Sequence, residues 1–228
     1  MFQDERAFSD RREAGRELAR LLPASLRSGD VVVLALPRGG VPVAFEIAQA
    51  LDAPLDVFLV RKLGTPGHPE LAMGAIASGG IRVLNDEVVE YLNIPRELID
   101  AVAEREQSEL ERREAAYRHG KPMPSLSNRT VILVDDGLAT GSTMKAAVEA
   151  VRHQQPARVI VAVPVGAPDT CRELGKRADE VICARMPTSF SAVGQWYRDF
   201  TQTTDEEVTE LLQKGRPEGR PLPHEIPR

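Results

Sequence analysis

Cysteine is nearly absent, with Cys171 and Cys183 the only two in 228 residues. Two thiols are too few for a disulfide framework or a zinc site, so both read as core thiols of a protein kept in a reducing cytosol. Aromatic residues are scarce too, at 4%, which leaves little to stack single-stranded nucleic acid on. An excess of basic charge is also missing. The 29 basic and 34 acidic residues give a formal charge of -5, and such a field does not suggest a nucleic-acid partner. No apolar run reaches the ~20 residues of a membrane span, and Met1 to Arg6 carries no mark of a signal peptide. The expectation is a soluble, cytoplasmic protein with neither a membrane nor a nucleic-acid partner. Its length suits one domain with additions, large enough to bury its core without staples.

Against these gaps stands one dense stretch, Val131-Ile132-Leu133-Val134-Asp135-Asp136-Gly137-Leu138-Ala139-Thr140-Gly141-Ser142-Thr143. Four apolar residues, two carboxylates and a small-residue turn describe a buried parallel strand that empties onto an anion-sized nest. Met144, Ala147, Val148 and Val151 then recur at helical spacing, so a helix starts near Ser142 with its first amides facing the turn. Those amides and the helix dipole hold an anion without a lysine. Asp135 and Asp136 accept hydrogen bonds only, which suits vicinal hydroxyls with a metal ion to offset the crowded charge. Ribose 5-phosphate carries both groups. A Walker loop is excluded because Gly-Lys-Ser/Thr occurs nowhere, and the dinucleotide Gly-x-Gly-x-x-Gly fingerprint is missing as well.

Leu36-Pro37-Arg38-Gly39-Gly40-Val41-Pro42 is a second small-residue loop, between the apolar run Val31–Ala35 and an apolar helix from Val43 to Leu51. Two glycines let amides approach an anion, and Arg38 adds a cation suited to phosphate oxygens. Leu55 to Val60 reads as another buried strand, ending in Arg61-Lys62 and a Gly/Pro-rich stretch through Glu70 that reads as irregular. Leu71–Ile76 and Ile81–Leu84 flank Ser78-Gly79-Gly80 as a short hairpin. A helix is expected from Phe8 to Leu22 with Ala14, Leu18 and Leu21 inward. Residues 85–120 read as a helical insertion whose alternating Glu and Arg form a solvated face. Val159–Val165, Pro168–Arg177 and Val181–Ala184 continue the alternation of strand and helix. Together they give an α/β, doubly wound parallel sheet with loops gathered at the strands' carboxyl ends. Residues 215–228, rich in Pro, Gly and Arg, read as a flexible tail behind a domain of residues 1–214.

The Asp135–Thr143 stretch resembles the phosphoribosyl diphosphate (PRPP) motif of the type I phosphoribosyltransferases, and the Arg38 loop resembles that family's pyrophosphate loop. The resemblance implies the family's fold, with a small hood subdomain here at about 185–200, where Phe190, Trp196, Tyr197 and Phe200 lie. For those rings, core packing and base stacking both stay open. It further implies that Asp135 and Asp136 hold the ribose hydroxyls and, through them or water, Mg2+. Ala139, Thr140, Gly141, Ser142 and Thr143 would hold the 5-phosphate, and Arg38, Gly39 and Gly40 the pyrophosphate. Lys62, in what the family makes a mobile loop, would join Arg38 and Asp136 in catalysis; its alternative is a solvated lysine. His68 reads as an exposed loop imidazole.

The activity so implied is that of a pentosyltransferase of nucleotide metabolism, in the glycosyltransferase class. It moves 5-phosphoribosyl from PRPP to a nucleobase or related nitrogen acceptor and releases pyrophosphate. Hypoxanthine-type members carry Asp where this chain has Ala139, so a 6-oxopurine acceptor is disfavoured and the acceptor stays unidentified. Two other readings stay open: a non-catalytic PRPP sensor, and a hydrolase or phosphorylase of a phosphoribosyl compound. A homodimer is compatible with each.

Overall fold

Apolar runs without polar alternation need cover on both faces, and the structure, a computed structural model that describes residues 7–215, gives it to them. In chain order the elements are α1 (Arg11–Leu21), β1 (Val31–Ala35), α2 (Gly40–Leu51), β2 (Leu55–Val57), β3 (Val60–Thr65), β4 (His68–Ala77) and β5 (Ile81–Leu84). There follow α3 (Asp86–Tyr91), α4 (Arg96–Arg118), β6 (Thr130–Val134), α5 (Ser142–Arg152), β7 (Arg158–Val165), α6 (Pro168–Leu174), β8 (Glu180–Arg185) and α7 (Asp205–Lys214). Five strands form a parallel sheet in the order β2-β1-β6-β7-β8. Successive residues point to opposite faces, and the strands divide accordingly. Val31, Val33, Ile132 and Val134 pack with α1, α2 and α7, while Val32, Leu34, Val131 and Leu133 pack with α5 and α6. The sheet is therefore wound on both sides. Ala35 lies beside Val134 in the β1–β6 register, so the loops that leave these two strands emerge as neighbours.

The stretch Leu55–Val60, expected as one strand, belongs to two sheets. β2 ends at Val57, and β3 opens a separate antiparallel sheet, β3-β4-β5. A serine diverts the chain: the Leu59 amide donates to Ser78 Oγ at 2.8 Å, and the Ser78 amide donates back to the Leu59 carbonyl at 2.9 Å. The stretch expected to be irregular after Lys62 is instead a hairpin, in which Thr65 pairs with His68 across Pro66-Gly67. Pro supplies the fixed φ of the first turn position and Gly67 the positive φ, 81°, of the second. Helix α1 begins at Arg11 rather than Phe8 because Asp10 caps it, accepting the Glu13 amide at 2.7 Å. Leu21, expected inward, is 54% exposed.

Residues 85–120 form α3 and the 23-residue α4. Helix α4 is more than a solvated rod, since Ile99, Ala103, Leu110 and Tyr117 enter the core. Its last residue, Arg118, is buried. There its Nε meets Asp56 Oδ1 at 3.1 Å and its Nη2 donates to the Val57 carbonyl at 2.8 Å. Helix α7 was not foreseen, although Thr204-Asp205-Glu206-Glu207 is a capping signature: Thr204 Oγ1 accepts the Glu207 amide at 3.2 Å. Of the tail expected over 215–228, only Gly215 is described; it is buried, and a Cβ there would meet Leu55 Cδ2 at 2.7 Å. Met1 to Arg6 likewise lie outside the described residues. Among the described residues no helix is long and apolar enough to cross a membrane.

Removing one partner of a buried ion pair strands the other charge. Arg118→Met should therefore lower unfolding free energy by about 3–5 kcal/mol in urea titration. A loss under about 1 kcal/mol would mean that Asp56 finds other compensation.

Candidate active site

Two strand-to-helix loops meet at the carboxyl ends of β1 and β6, and glycine sets how closely. A Cβ on Gly40 would lie 2.7 Å from the Val134 carbonyl oxygen and 2.9 Å from Asp135 Cα. One on Gly39 would lie 2.0 Å from Asp136 Oδ2. No side chain fits at either position, so the 36–40 loop rests its backbone directly on the acid pair. The Pro37–Arg38 peptide within it is cis.

Beyond the acid pair, Leu138 bridges to Gly166, and the Leu138 amide donates to the Val165 carbonyl at 2.9 Å. Thr170, at the start of α6, donates its hydroxyl to the Ala139 carbonyl at 2.7 Å and fixes the turn from behind. Gly141 takes φ 69°, and a Cβ there would meet Thr170 Cγ2 at 2.5 Å. Helix α5 starts at the next residue, and its first intrahelical bond runs from the Lys145 amide to the Gly141 carbonyl, 2.8 Å. The amides of its first turn thus have no acceptor within the helix. Ala139, Thr140, Ser142 and Thr143 are exposed. Such a turn can cradle an anion at a helix N-terminus.

The carboxylates sit in opposed surroundings. Burial, then the neighbouring Asp136 charge, pushes the Asp135 carboxyl well above the usual carboxylate range. Asp135 Oδ1 accepts the Asp136 amide at 2.8 Å. Burial also raises Asp136, but there Arg11 opposes the shift, its Nε meeting Asp136 Oδ2 at 2.8 Å. Tyr197, its phenol pushed up by burial, donates its hydroxyl to the Asp136 carbonyl at 2.6 Å. Arg11 was absent from the residues read off the sequence, and Tyr197 was read only as one of the hood aromatics, with no link to the acid pair. They lie far from the motif along the chain, and nothing local marks them.

A cleft of about 920 Å³ opens over the junction. Arg38, Gly39, Asp136 and Thr143 line it together with Arg61, Arg112, Arg113 and Tyr117, and the acidic face of α7 closes the far side. Arg38 reaches Asp205 at 3.8 Å, and the Tyr117 hydroxyl donates to the same carboxylate at 2.5 Å. Burial and that carboxylate push the Tyr117 phenol up to about 12. Arg61 points inward, held by Glu106 at 2.7 Å. Lys62, next along the strand, faces the other way; it is 49% exposed, pairs with Glu70 at 3.7 Å and does not line the cleft. Of the four aromatics near residue 200, Trp196 and Tyr197 are buried against Phe8, with Phe190 packed on them. Phe200 reaches the cleft, 38% exposed. Among the described residues, no three or more His, Cys, Asp or Glu side chains gather as a metal site.

Because the folded protein raises the Asp135 pKa, it binds more protons than the unfolded chain above about pH 4, and stability falls as pH rises through the folded value. Asp135→Asn keeps the acceptor for the Asp136 amide and removes the charge. Near pH 7 it should gain roughly 0.5–2 kcal/mol over the parent. Denaturant titration should show that gain vanishing below about pH 4, where both states are protonated; an equal gain at both pH values would contradict the assignment.

Comparison with known proteins agrees with this arrangement. Residues 70–200 match the family model described as phosphoribosyl transferase domain. A Mycobacterium tuberculosis protein named "Putative phosphoribosyl transferase" is 50% identical over 207 residues, covering 91% of this chain and 46% of its own. The chain thus spans about half the length of that relative. The "Bifunctional protein PyrR" of Roseiflexus is 35% identical over 151 residues, covering 64% of this chain and 74% of its own. In structure, the chain is similar to TT1426 of Thermus thermophilus, with a TM-score of 0.82 and 44% identity over 92% of this chain and all of that one. With the matched segment making up more than half of the chain and taking in both the acid pair and the small-residue turn after it, the chain belongs to the phosphoribosyl transferase family.

Proposed function

We propose that this chain binds PRPP in the cleft and transfers its 5-phosphoribosyl group to a nitrogen acceptor with release of pyrophosphate. The observation that carries the reading is the contact of Gly39 with Asp136, which sets a loop suited to pyrophosphate against a carboxylate suited to ribose hydroxyls. In this reading the turn from Ala139 to Thr143 holds the 5-phosphate through its amides. Asp135 and Asp136 accept from the ribose hydroxyls. Arg38, Gly39 and Gly40 take the pyrophosphate, and Arg61 joins them from the opposite wall. Arg38 exchanges Asp205 for the ligand, an exchange favoured by the weak 3.8 Å contact it leaves.

Mg2+ fits the donor set, because two crowded carboxylates carry more negative charge than Arg11 alone offsets, and it would supply charge neutralisation for the leaving group. Asp135 and Asp136 would hold it indirectly, through ribose hydroxyls or water. The chemistry left to the protein is positioning and electrostatic stabilisation of the departing pyrophosphate. Phe200 lines the cleft and presents to an aromatic acceptor the part of its ring that Arg11 and Tyr197 leave uncovered. Alanine at position 139 offers no proton to a 6-oxopurine, so acceptors outside that class fit better.

The test is a panel of nucleobases and related nitrogen heterocycles with PRPP and Mg2+, read by pyrophosphate release and nucleotide product. Pyrophosphate released without any base would turn the reading to hydrolysis; tight PRPP binding without turnover would turn it to sensing. Two neighbouring cations refine the test. Arg61 acts in the ground state, so Arg61→Ala should weaken PRPP binding by roughly tenfold or more in calorimetry. Lys62 acts only when the β3–β4 hairpin folds over the ligand. Lys62→Ala should leave PRPP affinity within about a factor of ten yet slow single turnover about a hundredfold. An unchanged turnover would leave Lys62 a solvated surface residue.

A further inference from the structure

Arg11 makes more contacts at the site than the pyrophosphate-loop arginine does. Its side chain is 10% exposed and that of Asp136 15%. Besides the 2.8 Å bond to Asp136 Oδ2, Nη1 donates to the Thr201 carbonyl at 2.8 Å. The guanidinium carbon lies 4.0 Å from the centre of the Phe200 ring and 5.9 Å from that of Tyr197. Tyr197 and Phe200 stack at 5.1 Å, and Tyr197 returns to Asp136 through its hydroxyl. These contacts close a ring from the Asp136 carboxylate through Arg11, Phe200 and Tyr197 to the Asp136 carbonyl. Helix α1, the β6 loop and the 197–201 segment meet in it.

A planar fork with five donors can bond a carboxylate and a carbonyl at once while its face covers an aromatic ring; a lysine ammonium can do one of these well. Asp136 Oδ2 is thereby trapped between Arg11 and the bare backbone of Gly39. Beside it Asp135 makes no ion pair among the described residues; its Oδ1 accepts the Asp136 amide. Among the described residues the acid pair thus has one built-in counter-charge and lacks a second.

We propose that Arg11 is a positioning residue that holds the Asp136 carboxylate toward the ribose site and supplies half of the counter-charge the acid pair needs. PRPP affinity then gains less from Mg2+ than it would at a bare carboxylate pair. This rests on the reading of the cleft as a PRPP site. The alternative, that Arg11 occupies the place of the metal and must be displaced by it, predicts the opposite dependence on Mg2+.

The variants are Arg11→Met, which keeps an unbranched stem against Phe200 and Tyr197, Arg11→Lys, which keeps the charge without the fork, and Tyr197→Phe, which opens the ring without touching the charge. The first measurement uses no PRPP: Mn2+ binding followed by electron paramagnetic resonance. An opposite charge within a few ångströms shifts a carboxylate's proton affinity by about one to three decades, so losing it in Arg11→Met should tighten Mn2+ binding by about tenfold. The second is calorimetric titration of PRPP across Mg2+ concentrations. Arg11→Met should bind about tenfold more weakly at limiting Mg2+ and return to within about threefold of the parent at saturation. Arg11→Lys should keep the parental Mg2+ enhancement but bind PRPP several-fold more weakly even at saturation. Tyr197→Phe should leave the enhancement unchanged.

A Mg2+ enhancement of PRPP affinity in Arg11→Met no larger than the parent's overturns the proposal, as does an equal rise in Tyr197→Phe, which would trace the effect to packing. If Arg11→Met does not fold, an Arg11→Lys protein indistinguishable from the parent overturns it. A parent protein that ignores PRPP at every Mg2+ concentration sinks the reading of the cleft instead, and the Mn2+ measurement then decides alone for or against Arg11.

Discussion

Two carboxylates on adjacent residues at the end of a buried strand repel one another, and burial denies them the water that would screen the repulsion. Much of the molecule around residues 135 and 136 answers that constraint. Arg11 comes from the first helix to pair with one of them, the Tyr197 hydroxyl takes up the carbonyl between them and the turn, and Gly39 and Gly40 give up side chains so that a second loop can lie alongside. A sheet edge selected for stability alone would carry no such pair. In the function proposed above, a ligand completes the compensation that the fold leaves unfinished.

The parts of this arrangement that were legible in the sequence are those in which cause and effect are neighbours. Val131–Val134 followed by Asp-Asp and a small-residue turn dictates strand, nest and helix within fifteen residues, and the parallel sheet follows from repeating that pattern. The Arg38 loop was readable for the same reason. The break at Phe58-Leu59 was not, because it depends on Ser78, which reaches back from the turn after β4 to hold Leu59. The hairpin across Pro66-Gly67 was hidden by the very residues that make it, since Pro and Gly mark tight turns and irregular loops alike. Arg11 and Tyr197 join the site only through tertiary folding. Before that, an arginine in a charged helix and a tyrosine in a loop look like surface and core.

The cleft also has two unlike walls. Helix α4 and strand β3 bring Arg61, Arg112 and Arg113, while α7 brings Asp205, Glu206 and Glu210. Most of these charges are already engaged across short distances: Glu106 holds Arg61, and Glu109 holds Arg112 and Arg113. The helix whose alternating charges suggested nothing more than solubility thus spends one turn of them on orienting the cations that face the cleft. Alternation of sign along α4 is a scaffold for geometry as well as a solvated surface.

The cleft draws on the chain from Arg11 to Gln213. A ribosome emits these residues in order, at about 5–20 per second. Strand β1 must wait for β6, almost a hundred residues later, before its second edge is covered, and Arg38 meets Asp205 only when the final described helix has emerged. No product of translation that stops short of Gln213 can hold the whole cleft. The nascent protein therefore acquires its structure in stages but its cleft all at once, after α7 has emerged.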